Sequence, residues 1–487
     1  MCLPLDRLWA TTRDCPYKHG YKMSLDYTII AGYLLIILLL GLWSGKGMKT
    51  LSDFSVSHRS YGTLVLFATL SASFIGGGFS IGNAEKVYRL GIANIVALWG
   101  FSLKEILVAK FIAPRTGNFP GVISVGDLMD RGYGKTGRIV SGFFSVFLCA
   151  GIVGAQVGAM GIIFNVFLDV APIWGILIGC GIVIAYSTVG GMRAVVLTDV
   201  VQFCVLAVGI PLTLIFGLAR LGGISAIKAA VPAGHFLVPA EDMTVGAFLS
   251  LFLTFLLGET LVPPYVQRLF MAKDPTHTAR GTLLSGLFSI PFFAITGAIG
   301  LLALTLDPQM DPNLAMPSVI RTFLPAGLRG LVVAGVISIV MSSADSFLNG
   351  AATCCINDVV KPLRKNPISK QRELFLAKLT NFLVGVLAVV FAIEIPSVLD
   401  ILIYAYNFWA PIIVVPLAAV LLGVRVTKAG FIAGTFAGAA GTLIWTRLLN
   451  TPTGIGGLPV GVFCNIFFFV LANKLIIKKA ADRKRKQ

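Results

Sequence analysis

The stretch ATLSASFIGGGFSIGNAEKVY, residues 68–88, starts as an apolar helix and is interrupted by three consecutive glycines, Gly76 to Gly78. Glycine is a poor helix former and lets the backbone leave helical geometry. Inside a bilayer, non-helical backbone persists only where protein buries it or where it lines a watery cavity, and broken helices with free carbonyls are a recurrent way to build ion and solute sites. The alternative reading of the same glycines is a close crossing of two helices through small residues.

Both readings need a membrane-embedded chain, and the composition supplies one. Of 487 residues, 56% are hydrophobic and only 13% charged, far from the averages of a soluble domain. The fold class is all-α integral membrane. Windows of about 20 apolar residues predict about thirteen spans, near 27–45, 62–83, 92–112, 140–168, 172–187, 195–217, 246–266, 282–306, 328–353, 374–394, 397–420, 429–447 and 456–477. Little sequence is left for a folded aqueous domain.

The net charge of +17 is read through its distribution. Lys46, Lys49 and Arg59 follow span one; Arg115, Arg131, Lys135 and Arg138 follow span three. Arg268, Lys273 and Arg280 follow span seven; Lys361, Arg364, Lys365, Lys370 and Arg372 follow span nine, and KKAADRKRKQ closes the chain. All fall on one side of an alternating topology, which places the N-terminus outside and the C-terminus in the cytoplasm of a multi-pass cell-membrane protein. No nucleic-acid surface accompanies the charge. Residues 1–26 form an N-terminal extension, external or disordered, and Met23 is a candidate natural start.

Six of the eight cysteines, Cys149, Cys180, Cys204, Cys354, Cys355 and Cys464, lie within spans, which argues against a disulfide framework. No spacing of His, Cys and acids suggests a tight metal site, and no nucleophile or phosphate-loop motif suggests an enzyme.

A charge at the bilayer centre costs at least ~2.5 kcal/mol, so each intramembrane acid needs a reason. Four stand out: Glu105, Asp199, Glu259 and Asp345. In VMSSADSF, residues 340–347, Ser342, Asp345 and Ser346 share a helix face at i, i+3 and i+4, while Ser343 points away. Two hydroxyls and a carboxylate suit a weakly held Na⁺ or H⁺; alternatively the serines satisfy carbonyls or pack helices. Asp199, after the glycine pair in YSTVGGMRAVVLTDVVQF, is either a cytoplasmic ion-exit site or a partner of Arg193.

Together, DFSVSHRSYG, the Y-x-x-x-G-G-x-x-A-V-x-x-T-D-x-x-Q pattern at 186–202, YVQRLFMAKD at 265–274 and SSADS at 342–346 resemble the sodium/solute symporter family, nearest its high-affinity choline transporter-like branch. The resemblance implies a LeuT-like core of two five-helix inverted repeats, residues 62–217 and 246–420. One helix with its cytoplasmic loop, 27–61, precedes the core; two helices, 429–477, and a basic tail, 478–487, follow it.

The resemblance also implies Na⁺ as coupling ion, with no organic cofactor. One Na⁺ site would use the carbonyls of Ala72, Ile75 and Ile339 with the side chains of Ser342 and Ser343. A second would use Asp199, Ser342, Asp345 and Ser346. Substrate candidates are Phe74, Gly76, Trp99, Phe101, Glu259, Thr260 and Asn407, with Tyr404 and Trp409 nearby. Phe74, Leu98 and Phe101 stand where sugar carriers have polar residues, which argues against a sugar. Val262 replaces an aromatic of the choline carrier. Glu259 meets either a cationic solute or an internal partner, for example Lys104.

The expected activity is Na⁺-coupled symport of a small polar organic solute by alternating access, the solute being an amine, betaine, amino acid or carboxylate rather than a sugar. The partners are solute, Na⁺ and the bilayer. The rival readings are a proton-coupled carrier and a transporter-fold sensor or receptor.

Overall fold

The structure is a computed structural model, describing residues 24–394, 405–407, 409–452 and 454–486. The extension before Ser24, the possible start at Met23, and Tyr404 lie outside the described residues. Among these residues every regular element is helical, apart from one isolated bridge between Tyr61 and Ala272.

In chain order the helices are α1 (Ser24–Ser44), α2 (Leu51–Val56), α3 (Thr63–Phe74), α4 (Gly77–Leu90), α5 (Ala93–Phe111), α6 (Val125–Leu168), α7 (Pro172–Leu221), α8 (Ile224–Ala230), α9 (Val245–Leu257), α10 (Pro263–Leu269), α11 (Pro275–Leu306), α12 (Ala315–Phe323) and α13 (Leu328–Cys354). Longer helices over Lys370–Glu394, Lys428–Leu443 and Gly457–Lys486 follow.

Among the described residues, eight helices are long and apolar enough to cross a membrane, or nine if α3 and α4 are one bent span. The thirteen expected from the sequence exceed this for physical reasons. At ~1.5 Å per residue, the 50 residues of α7 are too long for one ~30 Å crossing, and the run leaves helical geometry at Gly191 (φ 53). The expected spans 172–187 and 195–217 fall on either side of that break. The apolar run of α5 carries Lys104, Glu105 and Lys110, α9 is short, and part of 397–420 lies outside the described residues.

The glycine stretch is the break the sequence predicts. α3 ends at Phe74, Ile75 leaves helical geometry (φ −87, ψ 53), and α4 restarts at Gly77 at an angle of 53° to α3. The alternative reading is realised too, because a Cβ on Gly76 would lie 2.6 Å from Ser343 Oγ and one on Gly77 3.1 Å from Val340 Cγ2. A second break separates α9 from α10. There fully buried Leu261 adopts φ 55, a left-handed conformation that costs a β-carbon-bearing residue of order 1–3 kcal/mol. Pro263 and Pro264 restart the helix, at the position where a missing N–H is harmless.

Nearly every residue of α13 is buried, so its serines and aspartate face protein and not lipid. α1 is fastened at both ends. Near its start, Asp26 pairs with Arg329 at 2.6 Å and accepts the backbone N–H of Gly327 and Gly330. Near its end, Gly41 packs against Tyr186 and Gly45 against Val189 of α7 so closely that a Cβ at either would clash at 2.6 Å.

Candidate cation and solute sites

Four helices bring their polar groups to one point beside the first break. Asp199 of α7 accepts Ser342 Oγ of α13 at 2.6 Å on one oxygen; on the other it accepts Ser73 Oγ at 3.0 Å, Arg268 Nη2 at 2.9 Å and Thr69 Oγ1. Arg268 of α10 also donates from Nε to Thr69 Oγ1 at 3.0 Å, from Nη1 to the Pro264 carbonyl at 3.2 Å, and from Nη2 to Ser346 Oγ at 2.7 Å and to Ser73 Oγ. Both charged groups are fully buried. Arg268 is thus not the loop charge expected from the sequence. It, and not the exposed Arg193, is the partner of Asp199.

Asp345 belongs to the same neighbourhood through a different oxygen set: it accepts Tyr186 OH at 2.5 Å and Ser346 Oγ at 3.1 Å. The face shared by Ser342, Asp345 and Ser346 therefore meets two carboxylates and one guanidinium. With both acids ionised the cluster carries one uncompensated negative charge, which is the charge one monovalent cation neutralises.

Ser343 points the other way, as the helical spacing requires. Its hydroxyl donates to the Ser73 carbonyl at 2.8 Å and, on its own helix, to the Ile339 carbonyl at 3.2 Å, bridging α13 to the end of α3. Ala72 and Ile75 flank that point and are fully buried. Ser342 is turned toward Asp199 and lies 3.3 Å from Ser73 Oγ, so the two neighbouring hydroxyls meet the end of α3 at the side chain and the carbonyl of the same residue. Gln156 of α6 was not foreseen. Its Oε1 accepts the Gly77 N–H at 3.2 Å, satisfying the first donor of the restarted helix. A buried amide in the apolar run LCAGIVGAQVGAMG was its signal.

A second buried cluster lies among α3, α5, α10 and the second break. Lys104 Nζ sits 2.8 Å from Glu105 Oε1, an ion pair without hydrogen-bond directionality, and Tyr265 OH donates to Glu105 Oε2 at 2.9 Å. Glu259 accepts Tyr406 OH at 2.8 Å on Oε1. Its Oε2 is buried and among the described residues has no hydrogen-bond partner. Phe74 packs edge-on against Tyr265 at 5.2 Å, and Phe101 against Phe79 at 5.2 Å and Phe293 at 5.7 Å.

Three substrate candidates do not join this cluster as expected. Trp99 is 36% exposed, and its indole donates outward to the Ile290 carbonyl. Thr260 turns its hydroxyl onto Leu256 of its own chain turn, leaving its carbonyl to accept Trp409 Nε1 at 2.9 Å. Asn407 is half-buried, and it is its neighbour Tyr406 that reaches Glu259. Lys104 pairs with Glu105, not with Glu259. A cleft lined by Gly77, Gly78, Glu85, Ala159 and Asn313 runs along the first turns of α4 beside the first break.

Residues 54–438 match the description "Sodium:solute symporter family". The chain belongs to that family. It is 28% identical to the human high affinity choline transporter 1 over 84% of this chain and 75% of the relative. With the high-affinity choline transporter 1 of Drosophila melanogaster the identity is 24% over 78% of this chain, which spans 62% of that relative's length. A sodium/glucose cotransporter of Vibrio parahaemolyticus is 24% identical over 71% of this chain and 70% of its own.

Among solved structures, a Na⁺-coupled sialic acid symporter in a substrate-bound outward-open state superposes with a TM-score of 0.80 at 20% identity, covering 93% of this chain and 97% of that one. A nucleobase-cation-symport-1 family transporter superposes at 0.54 with 15% identity, covering 88% and 95%. These likenesses show the fold, which is all-helical among the described residues and shared with those two transporters.

Proposed function

We propose that this chain is a Na⁺-coupled secondary symporter that imports a small polar organic solute by alternating access. The observation that carries the reading is the first helix break. It is packed against Ser343 on one side, and on the other Ser73, in the last turn of α3, reaches a cluster that is one positive charge short when both carboxylates are ionised. In this reading thirteen spans form a LeuT-like pair of five-helix inverted repeats, 62–217 and 246–420, with the N-terminus outside and the basic tail in the cytoplasm. One Na⁺ is held at the break by the carbonyls of Ala72, Ile75 and Ile339 with Ser342 and Ser343. A second is held near Asp199, Ser342, Asp345 and Ser346.

Cation binding orders α3 against α13 and favours the form that takes up solute. Each charge that crosses contributes ~2.3 kcal/mol per 100 mV of membrane potential. The solute lies near Phe74, Phe101 and Glu259, where apolar rings and a donor-seeking carboxylate favour an amine or amino acid over a sugar.

One observation favours a proton-coupled variant. Arg268 already holds Asp199, so a proton on Asp345 would complete the charge balance without metal.

The test is the thermal midpoint of the detergent-purified protein in NaCl against KCl at constant ionic strength, with and without Asp345→Asn. A sodium-specific rise that the substitution removes supports the symport reading. Identical midpoints in both salts across a pH series, together with solute flux indifferent to a sodium gradient in proteoliposomes, would sink it.

A further inference from the structure

The second buried cluster already contains an ammonium group, and it belongs to the protein. Lys104 Nζ lies 3.8 Å from the ring centroid of Phe101, 4.6 Å from that of Tyr265 and 5.7 Å from that of Phe74. All three distances fall within the ~6 Å at which a ring face attracts a cation. The rings are fully buried and come from three different elements, α5, α10 and α3. Glu105 Oε1 supplies the counter-charge at 2.8 Å. Lysines in membrane helices ordinarily extend their stems toward water; this one is 2% exposed and turned inward.

We propose that Lys104 is a tethered cation that fills an aromatic cage fit for a free alkylammonium, and that it sets the specificity of the pocket against organic cations. The inference rests on reading this cluster as the solute site. With the cage filled, a solute nitrogen has to be met by Glu259 Oε2, the buried carboxylate oxygen left without a partner. Meeting it by hydrogen bond requires an N–H, which primary amines and amino acids carry and a quaternary ammonium lacks.

The geometry provides its own probe. Lys104→Ala removes Cγ, Cδ, Cε and Nζ, which are the heavy atoms of n-propylammonium, and leaves the rings and Glu105 in place. Cavities left by buried truncations bind molecules that match the missing atoms.

The experiment compares wild type, Lys104→Ala and Lys104→Met as full chains in KCl at fixed ionic strength, titrated with n-propylammonium chloride or with n-propanol. The expected result is a saturable rise in the midpoint of Lys104→Ala, about 2 °C or more, with n-propylammonium only. Wild type and the methionine variant, whose cage is occupied, should respond only weakly, through the free Glu259 Oε2, and not at all once Glu259→Gln is added. Equal stabilisation of wild type, equal stabilisation by n-propanol, or no response from a folded alanine variant would overturn the proposal. An alanine variant that can be purified with n-propylammonium but not without it supports it; one that can be purified in neither condition rejects it. Because the titration contains no sodium, its result stands apart from the sodium-specific shift that tests the symport reading.

Discussion

Arg268 and Lys104 are both basic residues buried in the interior of a membrane protein, and they are partnered in opposite ways. The Arg268 guanidinium donates to a carboxylate, three hydroxyls and a carbonyl. The Lys104 ammonium has one carboxylate oxygen at contact, Glu105 Oε1, without a directed hydrogen bond, and otherwise faces aromatic rings. The planar fork of arginine matches a multi-acceptor site, whereas a compact ammonium tolerates a ring-lined one. The difference separates a finished network, which fixes helices against each other, from an unfinished one, in which the carboxylate oxygen Glu259 Oε2 has no partner among the described residues.

The largest effect should come from breaking the finished network. Arg268→Met leaves Asp199 buried without its charge partner, a loss of about 3–5 kcal/mol, read as a collapse in midpoint or in monodisperse yield. Adding Asp199→Asn should restore much of it; if the double variant is no better than the single one, the ion pair is not what holds the cluster. Next, Tyr265→Phe strips the hydroxyl from Glu105 Oε2 and should cost about 1–3 kcal/mol in midpoint.

Ser343→Ala removes the bridge to the Ser73 carbonyl. It should alter the midpoint in KCl by no more than about 1.5 kcal/mol, yet abolish the sodium-specific rise. A retained rise would move the cation site away from the break. Glu259→Gln should be the mildest for stability, since Oε2 has no partner to lose while Oε1 keeps Tyr406. Its signature is loss of solute-induced stabilisation. A destabilisation as large as that of Arg268→Met would show that the second network is complete after all, and the contrast would fall.

Much of the first site is legible in the sequence because its signals are local. Three glycines in an apolar run mark the break, and the spacing of Ser342, Ser343, Asp345 and Ser346 assigns their faces. Arg268 was misread because a positive residue soon after an apolar run looks like a loop charge. The chain instead restarts a buried helix at Pro263, and the contact with Asp199 joins positions 69 residues apart. Trp99 could have been excluded by geometry: two residues from Phe101 is about 200° around a helix, and Phe101 is the one that points inward. The second break was the harder case. It is made by a leucine in a left-handed conformation, which no glycine announces.

The fastening of α1 also divides the Asp199–Arg268–Asp345 cluster into two mechanical parts. Asp26 ties the start of α1 to α13, and the Gly41 and Gly45 contacts seat its end on α7. Asp199, Ser342, Asp345 and Ser346 therefore ride on helices strapped together as a stator. Thr69, Ser73 and Arg268 ride on the half-helices α3 and α10, each ending or beginning at a break. A swing of those half-helices would carry away one guanidinium and two hydroxyls and leave both carboxylates behind. Opening would thereby change the electrical character of the cavity as well as its shape.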